Sequence, residues 1–271
     1  MRFLLKNRRL CWGFLMVSAV LLFSLFGPLA AGHSPFTTQV AGRLKAPSAL
    51  HWFGTDTLGR DLFARLAYGG RVSLGLGFSV GIISTVLGIA AGLWAGLNRA
   101  ADQVTMRLCD GIRAIPSLLL SIAMMSLLGA GIKNLILCLS LSSAPSMARL
   151  TRSAVLSARE QPYVEAAKSM GAGKGRILFR HIAPNIVSPL IVQMTFLFAQ
   201  AVMSEAALSF LGAGIPAPLP SWGSILNEAS TVIYSARWML IFPGLAAAFT
   251  VLGLNLLGDG LRDALDPLRV Q

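Results

Sequence analysis

Long apolar segments constrain this chain more than any other feature of its sequence. A helix that spans the hydrocarbon core of a membrane needs roughly 20 mostly apolar residues, and five segments meet or approach that length. These segments are Leu10–Ala31, Val72–Leu97, Ile115–Gly131, Ile186–Leu211 and Trp238–Leu257. Only 13% of the 271 residues are charged, compared with about 25% in soluble domains. The sequence therefore predicts an all-α polytopic membrane protein.

A sixth span is expected at Leu135–Met147, which is short and rich in serine. A six-span topology needs this segment and places both termini on the same side of the membrane. With both termini in the cytoplasm, 16 lysine and arginine residues fall in cytoplasmic segments and 7 in external ones. This bias follows the positive-inside rule, and it accounts for the net charge of +12 without a nucleic-acid partner.

The predicted topology divides the chain into a cytoplasmic N-terminus, a first span, an external loop, a core of five spans and a cytoplasmic tail. Their boundaries are 1–9, 10–31, 32–71, 72–258 and 259–271. The core includes a cytoplasmic loop at 148–185 and an external loop at 212–237. The basic and apolar start also resembles a signal peptide, but its apolar run is longer than usual for one. An uncleaved membrane anchor is the favoured interpretation, and cleavage is the alternative.

Both external loops contain a helical pattern. In the first loop, Leu58, Leu62 and Leu66 share one face, which predicts an amphipathic helix on the outer membrane surface. Two charge pairs with i,i+4 spacing, expected to form its solvated face, are Asp56–Arg60 and Asp61–Arg65. In the second loop, apolar residues from Trp222 to Ile233 follow helical spacing, which predicts another helix at the membrane interface.

Small residues recur along the second span at Gly77, Gly81, Gly88, Gly92 and Gly96. A stripe of this kind lets a neighbouring helix approach closely. Helix packing is therefore its expected role, since lining a pore would require this face to meet solvent.

The residue types that form metal and disulfide sites are widely spaced along the chain. They are Cys11, Cys109 and Cys138, and His33, His51 and His181. Without a CxxC pair or a histidine cluster, the sequence predicts no disulfide framework and no metal site. Glu205 is the only acidic residue within or near a span, which makes it a functional candidate. Its expected place near the outer end leaves two roles open, a structural one and a contact at the pore or outer gate.

The glycine-rich run Gly171–Gly175 raises the question of a phosphate-binding loop. A P-loop requires G-x-x-x-x-G-K-[ST] after a strand, whereas Gly173-Lys174 is followed by Gly175 and preceded at the first glycine position by Lys168. The segment fits a helix–turn–helix instead. Pro162 suits a first helical turn, and Gly171 suits the position after the helix, where positive φ is favourable. A second short helix, Ile177–His181, is expected to end before Pro184.

These residues also resemble a known family. The segment VEAAKSMGAGKGRILFRHIAPN is similar to the EAA loop of ABC-importer permeases, although Ala183 stands where leucine is usual. The matching positions are Glu165, Ala166, Ala167 and Gly171, with Ile182 and Pro184 closing the motif. The stretches HWFGTDTLGRDLFARLAYGGRVSL and SEAALSFLGAGIPAPLPSWGSIL resemble the second, C-type permease subunit of the dipeptide, oligopeptide and nickel importers. The resemblance extends from about His51 to Leu268.

The resemblance implies a type I ABC-importer permease that forms half of a translocation pore and works by alternating access. The implied partners are a second permease subunit, two cytoplasmic ATPase subunits and an external solute-binding protein. ATP and magnesium would belong to the ATPases, so this chain would be non-catalytic and hold no cofactor of its own. The six motif residues would couple it to an ATPase, and its location would be the bacterial inner membrane. Peptides are the expected substrate, with nickel, a metal–chelator complex or a glutathione-like peptide as alternatives.

Two other classes of protein are less consistent with the sequence. A secondary transporter would carry an internal repeat and charged residues at the midplane, and Glu205 alone is weak support for that class. A membrane-bound enzyme would need a nucleophile, a base or metal ligands that converge, and the sequence shows no such set. ATP dependence of uptake distinguishes the importer from the secondary transporter.

Overall fold

The structure is a computed structural model that describes residues 8–265, apart from the side chain of Lys174. Most of the predicted cytoplasmic N-terminus and the end of the predicted tail, residues 1–7 and 266–271, lie outside the described residues. Within the described range the chain forms ten α-helices and no β-strand. This all-α architecture agrees with the predicted fold class.

The helices follow one another with short connections, except for two longer loops at 31–61 and 211–221. The first five helices are α1 (Arg8–Ala30), α2 (Leu62–Leu97), α3 (Arg99–Ala114), α4 (Ser117–Leu128) and α5 (Ile132–Arg159). The remaining five are α6 (Pro162–Ser169), α7 (Lys174–Arg176), α8 (Ala183–Phe210), α9 (Trp222–Ser230) and α10 (Trp238–Leu265). A π-helical turn, Ile177–Ile182, joins α7 to α8, and a 3₁₀ turn, Val40–Gly42, lies in the first loop.

Four helices of the described range are long and apolar enough to cross a membrane, and they contain four of the predicted spans. These are α1, α2, α10 and the continuous helical segment that ends in α8. A fifth candidate consists of α3 and α4 together, which meet at a bend of 90°. The predicted third span therefore corresponds to α4, a helix of 12 residues, and the amphipathic helix α3 before it was not anticipated.

The predicted fourth span is the first half of α5, a helix of 28 residues. A helix of this length extends about 42 Å, which exceeds the roughly 30 Å of a bilayer core. Its polar composition is explained by packing, since Ser140, Ser143 and Thr151 are buried within the protein. The polar residues of α5 are therefore tolerated because they contact other helices rather than lipid.

The glycine stripe of α2 packs against neighbouring helices, as the sequence predicts. Its first two members, Gly77 and Gly81, lie against Phe198 of α8, and the other three lie against α5. A Cβ atom added at Gly88 would overlap Met147, and one added at Gly92 would overlap the backbone of α5 at Ala148. The absence of side chains at these positions therefore sets the close approach of the two helices.

The predicted amphipathic helix of the first external loop is wrong. Residues up to Gly59 form turns, and the helix that follows is the start of α2, which Asp61 caps by accepting a hydrogen bond from the backbone N–H of Ala64 at 2.8 Å. The charges expected on a solvated face are buried instead, with Asp56 at 0% and Arg65 at 2% relative exposure. Burial is tolerated because opposite charges pair with one another inside the protein.

The second external helix forms as predicted, but its apolar face packs inside the protein rather than at a membrane interface. Ser221 and Ser224 form a capping box at the start of α9. Trp222, Ile225 and Ala229 are fully buried. The indole Nε1 of Trp222 donates a hydrogen bond to the backbone carbonyl of Leu66 in α2 at 3.1 Å. This contact joins the second external loop to the start of α2.

Two further expectations differ from the structure. The predicted tail at 259–271 begins inside α10, which continues without a break to Leu265. The histidines are not all scattered, because the loop between α1 and α2 folds back and brings the ring centroids of His33 and His51 to 5.2 Å.

Candidate functional site

The predicted coupling segment, residues 164–185, begins within α6, a helix whose two ends are well defined. Pro162 occupies the first turn of α6, where its missing N–H has no partner to lose. At the other end, the N–H of Gly171 bonds to the carbonyl of Lys168 at 2.9 Å and the N–H of Ala172 to that of Ala167 at 3.0 Å. These two bonds form a Schellman motif. Gly171 has φ +80°, which confirms the predicted cap.

A small hydrophobic cluster holds α6 in place. Val164 and Ala167 on α6 pack with Ile177, Leu178 and Ile182 of the π-helical turn. All five residues are at most 7% exposed. Sequence reasoning did not single out Val164, Ile177 or Leu178. Their helical spacing, together with the apolar face it produces, is the signal that would have identified them.

The second helix of the predicted helix–turn–helix does not end before Pro184. The backbone N–H of Ala183 bonds to the carbonyl of Leu178, five residues back, and the chain then continues directly into α8. Proline cannot donate a backbone hydrogen bond, which is why an end was expected here. The wider π-helical turn lies just before the proline and lets the helix continue past it.

The six residues predicted for coupling divide into an exposed and a buried group. Glu165, Ala166, Gly171 and Pro184 are exposed, whereas Ala167 and Ile182 are buried. The exposed group is available to a second protein. The buried group supports α6 from below and is not accessible to a partner without movement of the helix.

A basic cleft of about 550 Å³ lies beside the end of α6. Its lining includes Met170 and Gly171 at the end of α6, and the basic side chains of Arg176, Arg180 and His181. The side chain of Met170 is 81% exposed. The two arginines are four residues apart, so they share one helical face. From the sequence alone they are predicted only as two of the positive charges of the cytoplasmic segments.

Two arginines join the end of α5 to neighbouring helices. Arg159 donates a hydrogen bond to the carbonyl of Gly96, at the end of α2, at 2.6 Å. Arg152 donates two hydrogen bonds to the carboxylate of Asp102 in α3. The coupling segment therefore follows a helix end that is fixed to both α2 and α3.

Glu205 lies at the centre of a buried hydrogen-bond network. The hydroxyl groups of Ser73 on α2 and Ser209 on α8 each donate to its carboxylate at 2.7 Å. Those hydroxyl oxygens in turn accept from the backbone N–H groups of Trp222 and Ile215 in the second external loop. With a relative exposure of 0%, Glu205 joins two helices and a loop, and its carboxylate does not face solvent in this chain.

A surface cavity of about 470 Å³ lies among α4, α8 and α10, and Glu205 does not line it. Uncharged polar side chains line part of it, namely Gln200, Ser204 and Asn255. Phe196 and Met203 supply its apolar lining. A mixture of amide, hydroxyl and apolar groups can contact a polar neutral solute without binding it tightly.

Comparison with known proteins identifies relatives over most of the chain. Residues 84–271 match the model of a family described as the binding-protein-dependent transport system inner membrane component. The dipeptide transport system permease protein DppC of Alkalihalophilus pseudofirmus is 43% identical over 263 residues, which cover 97% of this chain and 86% of that protein. The glutathione transport system permease protein GsiD of Pectobacterium atrosepticum is 45% identical over 224 residues, covering 82% and 74%.

A solved structure has the same fold at lower sequence identity. It is a chain from the inward-facing MetNI methionine ABC transporter, with a TM-score of 0.62 and 23% identity, covering 74% of this chain and 96% of that one. The family model covers more than half of this chain, and the curated relatives align with it over most of their own length. The chain therefore belongs to the family of binding-protein-dependent transport system inner membrane components.

Proposed function

We propose that this chain is the permease subunit of an ATP-driven importer and forms half of its translocation pore. The geometry of the coupling segment carries the proposal. A short helix presents Glu165 and Ala166 to solvent, ends at Gly171 beside a basic cleft, and rests on a buried cluster continuous with α8. Such a helix is suited to transmit the movement of an attached protein to a membrane helix.

The coupling residues have mechanical roles in this proposal. The exposed groups Glu165, Ala166, Gly171 and Pro184 contact an ATPase subunit. The buried groups Ala167 and Ile182 transfer its displacement to the π-helical turn and α8. Closing of two ATPases on ATP would draw the coupling segments of two permeases together and open the pore outward, and hydrolysis would reverse the movement.

The partners follow from this role. They are a second, homologous permease subunit, two cytoplasmic ATPase subunits and an external solute-binding protein, assembled in a bacterial inner membrane. ATP and magnesium would be bound by the ATPases, and this chain would catalyse no reaction. Glu205 would stabilise the outer end of the subunit rather than contact the substrate, because its carboxylate is engaged by two serine hydroxyls.

We further propose that the transported solute is a peptide. The relative from Alkalihalophilus pseudofirmus is named for dipeptide transport, and the neutral polar groups of the cavity beside α8 suit peptide amides. A glutathione-like peptide is the second candidate, because another relative is named for glutathione transport. Nickel or a metal–chelator complex is the third, and the solute-binding protein would select among these solutes.

Uptake into reconstituted liposomes tests the proposal. The chain would be co-expressed with the second permease subunit and the ATPase subunits, and the purified complex would be reconstituted into liposomes. The binding protein, expressed separately, and labelled dipeptide would be added outside the liposomes, and ATP would be enclosed inside. We expect uptake that needs both ATP and the binding protein. Uptake driven by an ion gradient without ATP would contradict the proposal, and substitution of glutathione for dipeptide decides between the first two substrates.

A further inference from the structure

Three side chains that can bind a metal meet where the loop after α1 reaches the start of α2. They are His33, His51 and Asp61, and one ring nitrogen of each histidine and one carboxylate oxygen lie within 4.8 Å of one another. We propose that these residues bind one divalent transition-metal ion of the zinc, cobalt or nickel class. This inference is independent of the transport role proposed above.

The ring of His33 is oriented so that Nε2 has a free lone pair for a metal ion. Its Nδ1 lies 2.9 Å from the backbone carbonyl oxygen of Ala31. A carbonyl oxygen only accepts hydrogen bonds, so Nδ1 carries the hydrogen and Nε2 of the neutral ring keeps its lone pair. Histidines that bind metals are commonly oriented in this way, by a hydrogen bond from the other ring nitrogen to a carbonyl or carboxylate.

His51 and Asp61 form the fixed part of the site. The backbone carbonyl of His51 accepts hydrogen bonds from the N–H groups of Ser48 and Gly54, which hold it in a tight turn. One carboxylate oxygen of Asp61 caps α2 at Ala64, and the other lies 2.9 Å from Nδ1 of His51. Both side chains are buried, so their positions do not depend on a surface rotamer.

The charge balance at Asp61 favours a cation. Its side chain is 4% exposed, and among the described residues no lysine or arginine pairs with it; the side chain that it contacts is the imidazole of His51. The neighbouring arginines, Arg60 and Arg65, bind Asp56 and Glu228 instead. Buried carboxylates are normally paired with a positive group or coordinate a metal. A bound divalent ion would supply the positive charge that the nearby arginines do not.

The dimensions suit a metal of this class after a small movement. Bonds of about 2.1 Å in a tetrahedral site place the ligand atoms about 3.4 Å apart, so the partly exposed ring of His33 would move inward by up to about 1.4 Å. Nδ1 of His51 and the Asp61 oxygen, which lie 2.9 Å apart, would separate by about 0.5 Å if both bind the ion. Imidazole and carboxylate ligands together select zinc-like ions over calcium or magnesium. A fourth position is available, because His33 and His51 also line a cavity of about 220 Å³ together with Ser34, Thr37 and Gln39, which can admit a water molecule.

The site would join two membrane helices at the end of the molecule away from the coupling segment. His33 follows the end of α1 and Asp61 precedes α2. The other end of α2 contacts Arg159 just before the coupling segment, and a helix of 36 residues extends about 54 Å. A metal bound here would therefore fix the outer end of α1 to α2 without touching the coupling segment.

Cobalt binding tests the site directly. The full chain, carrying an affinity tag without histidine, would be purified in detergent and titrated with Co²⁺, followed by its visible absorption, and then with Zn²⁺ in competition. We expect one ion per chain with tetrahedral absorption. His33→Gln should weaken binding at least tenfold, and His51→Gln should do the same. His181→Gln is the matched control, because it removes the remaining histidine of the sequence and should bind cobalt as the unsubstituted chain does.

The outcomes separate the metal site from a structural hydrogen bond. Equal cobalt absorption in the unsubstituted chain and in His33→Gln would overturn the proposal. Absence of cobalt binding by the unsubstituted chain at a Co²⁺ concentration of roughly 1 mM would also overturn it. If His51→Gln fails to fold, His33→Gln still decides, because His33 lies in a partly exposed loop. The readout is metal binding, so failure of the transport proposal would not affect it.

Discussion

The two ends of the molecule are stabilised in different ways. At the end predicted to be external, between the first loop and α9, charged and polar groups are buried and bonded to one another across distant parts of the chain. At the coupling segment, a single short helix rests on a few apolar side chains and exposes its charged residues. The first arrangement fixes one geometry, because a buried polar network allows few alternatives. The second has fewer directional contacts, and under the proposed function it is the part that moves with a bound ATPase.

The charge cluster shows how firmly the outer end is fixed. The guanidinium of Arg65 donates to Glu228 of α9 at 2.6 and 2.8 Å and also to Asp56. Arg60 bonds to the same two carboxylates. Two positive and two negative side chains thus neutralise one another, and together they join the first loop, α2 and α9.

Replacement of Arg65 by methionine is expected to have the largest effect. Removing one member of a buried ion cluster leaves carboxylates without their partner, which costs about 3–5 kcal/mol. The chain should unfold at a markedly lower temperature in detergent, measured with a thiol-reactive dye that labels the buried cysteines Cys109 and Cys138. Arg237→Gln is the matched control, because Arg237 is exposed and, within residues 8–265, its side chain makes no hydrogen bond or ion pair. Equal unfolding temperatures for the two variants would contradict the structural role of the cluster.

Substitution at Glu205 distinguishes a structural carboxylate from one that serves transport. Glu205→Leu removes the acceptor of two buried serine hydroxyls and is expected to cost about 1–3 kcal/mol. Glu205→Gln keeps one acceptor oxygen, so its unfolding temperature should lie between that of Glu205→Leu and that of the unsubstituted chain. Glu160→Gln, at an exposed position, serves as the control. If both Glu205 variants unfold like the original chain but stop uptake, the residue belongs to the transport path instead.

At the coupling segment, substitutions should affect transport rather than folding. Gly171 has φ +80° and open space around it, so valine there meets no clash but adopts a strained backbone, at a cost of about 1–3 kcal/mol. We expect Gly171→Val to reach the membrane in normal amounts and to lose ATP-driven uptake several-fold. Gly173→Val is the control, since Gly173 is also uncrowded but has no positive φ. Equal uptake by the two variants would show that the cap at Gly171 is not needed for coupling.

The sequence predicts the coupling segment better than it predicts the outer end, and the reason is physical. Pro162 and Gly171 act through local backbone geometry, which is readable from neighbouring residues. The burial of Arg65 depends on Glu228, 163 residues away, and an i,i+4 charge pair has the same spacing whether it is buried or solvated. The approach of His33 to His51 likewise depends on how a loop folds. The continuation of the helix through Pro184 into α8 was not predicted, because a π-helical turn has no distinctive local sequence.

The smallest effect on stability is expected at Glu165, where charge reversal should change only partner binding. Its side chain is exposed and, among the described residues, its carboxylate takes part in no hydrogen bond or ion pair, so Glu165→Lys should alter the free energy of unfolding by at most about 0.5 kcal/mol. We expect fewer ATPase subunits to co-purify with this variant, measured as the ratio of the two proteins on a gel. Glu160→Lys makes the same charge reversal five residues earlier, at another exposed position outside α6, and should keep the original ratio. A normal ratio for Glu165→Lys would exclude this side chain from the ATPase contact and leave Ala166, Gly171 and Pro184 as the exposed residues of the motif on which binding depends.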